Sequence, residues 1–115
     1  SAYFNGSANL YTPPSSDYEF GSGDFTIEFW INRASLSNAE MIYINTDTYN
    51  GATSLSVTAL PGGRFNIYQY ITNTFTWYAE NTTAVITANT WNHVAIVRQG
   101  SIITFYINGG AAITA

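Results

Sequence analysis

A single histidine, His93, stands in the stretch NTWNHVAIVRQGSIITFYINGG, which runs from Asn89 to Gly110. An imidazole there could serve as a general base or a metal ligand, and either role needs partners. No second histidine exists, the nearest carboxylate in sequence is Glu80, and no G-x-S-x-G nucleophile pattern occurs. A metal site would have to join one imidazole to oxygen ligands without any motif spacing. Strand alternation puts Trp91, His93, Ala95 and Val97 on one face and Val94 and Ile96 on the other. His93 is therefore read as a hydrogen-bonded structural residue.

Glycosidic hydrolysis would need two carboxyl groups roughly 5–10 Å apart. A strand supplies that separation at i, i+2 or i, i+4. Glu28 has Thr26 and Trp30 as its same-face neighbours, with no acid at i±2, and Asp24 sits at the start of the strand. Asp17 and Glu19 have the spacing but fall in a Pro/Ser-rich loop. Glu28 thus reads as an exposed strand residue, and the chain as a non-enzyme. A degenerate glycoside hydrolase is the remaining enzymatic reading.

Sugar recognition asks for different groups: aromatic rings against C–H faces, and amide or carboxylate groups on hydroxyls. Both are abundant. NIYQY places Asn66, Tyr68 and Tyr70 on one face, opposite Phe65, Ile67 and Gln69. FTWYAEN adds Trp77, and Asn50 in NTDTYNG completes the candidate ligand-binding set. The competing reading is that these rings pack the core or an interface with a neighbour.

The elements that would position these groups are strands. DFTIEFWIN alternates Phe25, Ile27, Phe29 and Ile31 against Thr26, Glu28, Trp30 and Asn32. EMIYINT, TSLSVTA, RFNIYQY, FTWYAE, TAVITA, WNHVAIVR and SIITFYI follow, with LPGGR, Gln99-Gly100 and Asn108-Gly109 as turns. No window carries helical periodicity; ASLSNAE could make one short turn capped by Ser35 or Ser37. About eight to ten short strands in one domain, residues 1–115, are expected. Pro13-Pro14 bars regular pairing in the loop-like stretch from Asn5 to Asp24.

Composition narrows the partners. The chain of 115 residues carries a net charge of -4, only three arginines and no lysine. No basic stripe exists for nucleic acid or an anionic membrane, so neither is expected as a partner. No apolar run approaches the ~20 residues of a membrane span. Cysteine is absent, which removes disulfides and thiolate metal sites. NGS at Asn5 and NTT at Asn81 fit the glycosylation sequon, as chance allows in a chain rich in Asn, Thr and Ser. Ser1 in place of methionine suggests a processed product, a fragment or part of a longer chain.

AYFNGSANLYTP, FGSGDFTIEFWIN and TANTWNHVAIVRQGSIITFYINGG occur in an order that resembles the laminin G-like, concanavalin A-like jelly-roll family. The first resembles that family's opening strand pair, the second its next core strand, and the third its most recognisable strand pair. The resemblance implies an all-β, antiparallel two-sheet jelly-roll sandwich. It also implies that further closing strands belong after Gly110, where five residues remain, so that the sandwich is expected to be incomplete. An uncovered apolar edge invites pairing, and self-association or packing against neighbouring chains is expected. No cofactor is expected from the residues; the resemblance makes calcium the alternative, with Asn38, Glu40 and Asp47 as its oxygen ligands. The reading that results is a non-catalytic carbohydrate-binding or adhesion module, extracellular or on a virion surface, as in a phage tail fibre or capsid decoration. Its alternative is a purely structural module that assembles with its own copies.

Overall fold

Alternating apolar and polar residues become pleated strand almost wherever they occur. The computed structural model describes residues 1–13, 15, 20, 23–44, 53–71, 74–81 and 83–114. Eight strands lie among them: β1 (Phe25–Ile31), β2 (Glu40–Ile44), β3 (Thr53–Leu60), β4 (Arg64–Ile71), β5 (Thr74–Glu80), β6 (Asn92–Gln99), β7 (Ile102–Ile107) and β8 (Gly110–Thr114). They form two antiparallel four-stranded sheets, with orders β1-β6-β7-β8 and β2-β3-β4-β5. The strands are those the alternation leads one to expect, and their two antiparallel sheets are the sandwich that the resemblance implies.

The inner faces meet in one core. Phe25, Val94, Ile96, Ile103 and Phe105 come from the first sheet, and Leu55, Val57, Ala59, Phe65, Ile67 and Ala79 from the second. Ile86, from the connection between β5 and β6, joins them. Burying a side chain of this size contributes roughly 1.5–3 kcal/mol, so these residues supply most of the drive to fold.

Turn chemistry sets the hairpins. Asn108 and Gly109 both have positive φ, 50° and 84°, which joins β7 to β8 in the tight turn that Asn-Gly favours. Pro61–Gly63 form a short 3-10 turn between β3 and β4, with Gly62 and Gly63 at φ of 75° and 76°.

Three expectations differ from the structure. TAVITA, Thr83 to Ala88, is not a strand. Both Val85 N and Ile86 N donate to the one carbonyl of Gly63, at 2.9 and 3.3 Å, so no ladder can form. The opening segment, residues 1–13, forms no strand pair and leaves Tyr3, Phe4 and Leu10 exposed. ASLSNAE makes bends without a helical turn, and Ser35 Oγ accepts from Ser37 N at 3.2 Å. Of the two sequons, Asn81 is closed off by the fold. It is 5% exposed, its Oδ1 accepts from Phe65 N at 2.5 Å, and its Nδ2 donates to Thr83 O. No helix among the described residues is long and apolar enough to cross a membrane.

Candidate functional site

β1 and β6 lie in antiparallel register with Trp30 opposite His93 and Glu28 opposite Ala95. Directly opposed residues project to the same side of a sheet. Phe29 and Val94, opposed one step away, take the inner side and pack in the core. Glu28, Trp30 and His93 therefore emerge together on the outer face. The rings of Trp30 and His93 are 5.2 Å apart between centroids, tilted by 51°. His93 Nε2 lies 3.5 Å from Glu28 Oε2. Trp30 is 64% exposed, and Trp91, two residues ahead of His93, is 52% exposed.

β7 extends this face. Tyr106 stands opposite Ala95, which has only a methyl group to offer. The register thus leaves a shallow floor at Ala95 between Glu28 and Tyr106, two strand spacings or about 9–10 Å apart. A flat exposed indole, a carboxylate beside it and a low floor next to both suit a flat, hydroxyl-bearing ligand. The indole covers C–H faces, and the carboxylate accepts hydroxyl protons.

The platform is braced from below. Asn92 is buried between Trp91 and His93. Its Nδ2 donates to Thr90 O at 2.9 Å and Thr87 O at 3.3 Å, and its Oδ1 accepts from Asn108 Nδ2 at 3.2 Å. Asn108 in turn accepts from His93 N through Oδ1 and donates its own N–H to His93 O, both at 2.9 Å. One side chain ties the loop before β6 to the turn after β7. Asn92→Ala is expected to lower stability by about 2–3 kcal/mol, because buried acceptors lose their donor and a cavity remains. Urea unfolding followed by tryptophan fluorescence measures it.

The expectation for His93 divides between backbone and side chain. Its backbone holds the Asn108 turn, while its imidazole faces outward beside Trp30 and Glu28. Glu28 is exposed, as its place in the alternation requires, and its neighbour on that face is His93 rather than a second acid. Asp17 and Glu19 lie outside the described residues.

On the second sheet Asn66, Tyr68 and Tyr70 share the outer face, since the alternating Phe65, Ile67 and Gln69 are buried. Tyr68 and Tyr70 meet edge to face at 6.1 Å. Tyr68, however, is only 8% exposed, so its ring offers little surface for stacking. Asn66 Oδ1 and Ser56 Oγ are buried here without hydrogen-bond partners among the described residues. Asn50 and the side chain of Trp77 lie outside the described residues. The backbone of Trp77 pairs with that of Gln69.

Two of the three residues considered as calcium ligands, Asn38 and Glu40, accept from a guanidinium. Arg33 is 3% exposed. It donates through Nε to Glu40 Oε2 at 3.1 Å, through Nη1 to Leu60 O at 3.0 Å and through Nη2 to Asn38 O at 2.5 Å. A cation already occupies that position, so Asn38 and Glu40 act as a clasp that pins the 34–39 loop to the end of β3. Asp47 lies outside the described residues. Among the described residues no cluster of three or more His, Cys, Asp or Glu could hold a metal ion.

Trp30 was not among the residues singled out from the sequence for ligand contact. Its signal was present: a large aromatic in the polar phase of the β1 alternation, level with Thr26 and Glu28.

The profile of the concanavalin A-like lectin/glucanases superfamily matches residues 4–115. The chain belongs to this superfamily. No curated protein matches it by sequence. Among solved structures, this superfamily member is similar to the carbohydrate binding module CBM66 from Bacillus subtilis. The TM-score is 0.55 and the identity 18%, over 83% of this chain and 59% of that one. The chain thus spans about three-fifths of that protein's length, and the likeness is one of fold.

Proposed function

We propose that this chain is a non-catalytic carbohydrate-binding module and that the outer face of β1, β6 and β7 is its ligand surface. The observation that carries the reading is the exposed indole of Trp30 beside the His93–Glu28 pair. Lone exposed apolar side chains are ordinary. A tryptophan flanked by an acceptor, a second ring system and a shallow floor is a recognition surface. Membership of the superfamily and the likeness to a carbohydrate binding module support this choice of ligand class. A low share of charged residues, 9%, and Asn/Thr-rich strands suit an extracellular or particle-surface setting, as in an adhesin or a virion fibre. A glycan array probed with the wild-type chain and with Trp30→Ala tests the reading. Signals that vanish in the variant support it, and signals that persist unchanged move the site elsewhere.

A structural role between copies is favoured by a separate observation. β8 (Gly110–Thr114) is an edge strand of uncharged residues, and Tyr3, Phe4 and Leu10 are exposed on a segment without a strand. Nothing in β8 carries the charge or proline that protects many sheet edges. Self-association is expected above micromolar concentration and should weaken in Ala112→Lys. Sedimentation equilibrium decides: a wild-type monomer throughout removes this role.

A further inference from the structure

The cation inventory of this chain bears on which glycans the face can take. There is no lysine, and the three arginines are Arg33, Arg64 and Arg98. Arg33 is buried and held by Glu40, Leu60 O and Asn38 O. Arg64 pairs with Glu80 and donates to Pro61 O at 3.3 Å. Arg98 sits opposite Phe25 at the far end of β6, with Nε donating to Gly100 O at 3.0 Å. Five residues of strand, roughly 16 Å, separate Arg98 from His93. No arginine side chain therefore reaches the Trp30 face, and there is no lysine to do so. The formal charge on that face is the Glu28 carboxylate, and the group able to become a cation there, His93, stands against that carboxylate at 3.5 Å. The whole chain adds a net charge of -4.

We infer that the Trp30 face selects neutral glycans and rejects anionic ones such as uronic-acid, sialylated or sulfated sugars. The inference rests on the carbohydrate-binding reading and adds a charge rule to it. A ligand carboxylate about 5 Å from Glu28 meets a repulsion worth roughly a fourfold loss of affinity in high dielectric. No arginine stands on the face to offset that loss by bidentate capture of the anion. Hydroxyls suffer no such loss, since Glu28 accepts their protons.

The test uses gluco-, manno- and galacto-configured neutral tetrasaccharides, each paired with its C6-oxidised uronic-acid counterpart. Affinities are measured at low and at high salt, for the wild type and for Glu28→Gln. The neutral member of a bound pair should bind roughly three- to tenfold more tightly at about 20 mM salt. The gap should close to within about twofold at about 0.5 M salt, and likewise in Glu28→Gln, which keeps the shape and an acceptor without the charge. Equal or tighter binding of the oxidised member, still dependent on Trp30, would overturn the charge rule and leave the carbohydrate-binding reading standing. A gap that survives both high salt and Glu28→Gln would show that something other than charge sets it. No binding by any member of either series would overturn the rule and the reading together.

Discussion

Gly63→Ala is expected to lower the unfolding free energy by about 3 kcal/mol and the melting temperature by about 12 °C. Two costs combine. Gly63 holds φ at 76°, a left-handed conformation that costs an L-residue roughly 1–2 kcal/mol. A Cβ at that position would also lie 2.5 Å from Ile86 O and 3.3 Å from the Leu36 side chain. The first of these is backbone, so it cannot swing aside. Relief would pull Ile86 out of the core and loosen the two bonds from Val85 N and Ile86 N to Gly63 O. Gly62 is the internal control. It has nearly the same φ, 75°, but open space where its Cβ would be. Gly62→Ala should therefore show only the conformational part. Calorimetry on both variants separates the two terms. Equal losses in the two would mean that close approach at Gly63 contributes nothing.

Trp30→Ala should weaken glycan binding by about 30-fold or more and leave the fold intact. Truncating a tryptophan at the centre of a recognition surface typically costs 2 kcal/mol or more. The fold is spared because the indole is 64% exposed on the outer face, and the core contacts of β1 come from Phe25, Ile27, Phe29 and Ile31. Surface substitutions of this kind usually stay within about 0.5 kcal/mol of the parent. Trp30→Phe should recover part of the affinity, since a smaller ring still covers a sugar face. Tyr68→Ala should behave in the opposite way. Its ring is nearly enclosed, so truncation disturbs packing more than it removes ligand contact.

Much of this molecule was legible before its structure. Period-two alternation separates faces: it set Phe25 and Ile27, Phe65 and Ile67, and Val94 and Ile96 each on a common side, and the sandwich turns those sides inward. Asn108-Gly109 announced its turn because few other dipeptides accept positive φ twice. TAVITA had the pattern without the ladder, for a reason no local pattern contains: a distant carbonyl, Gly63 O, takes two successive amides. The site was half legible. Alternation put Asn66, Tyr68 and Tyr70 on one outer face but gave no measure of how far each is covered, and Tyr68 proves nearly buried. The same alternation marked Trp30 as an aromatic among outward residues. What it could not give was register, and it is register that sets Trp30 against His93 and brings Glu28 within 3.5 Å of it.

Titration calorimetry of the wild type and Trp30→Ala, with a neutral oligosaccharide selected on the array, bears most directly on the carbohydrate-binding proposal. The expected result is saturable binding by the wild type and at least about 30-fold weaker binding by a variant whose melting temperature is unchanged. Equal affinity in the two proteins would contradict the assignment of the ligand surface to the outer face of β1, β6 and β7.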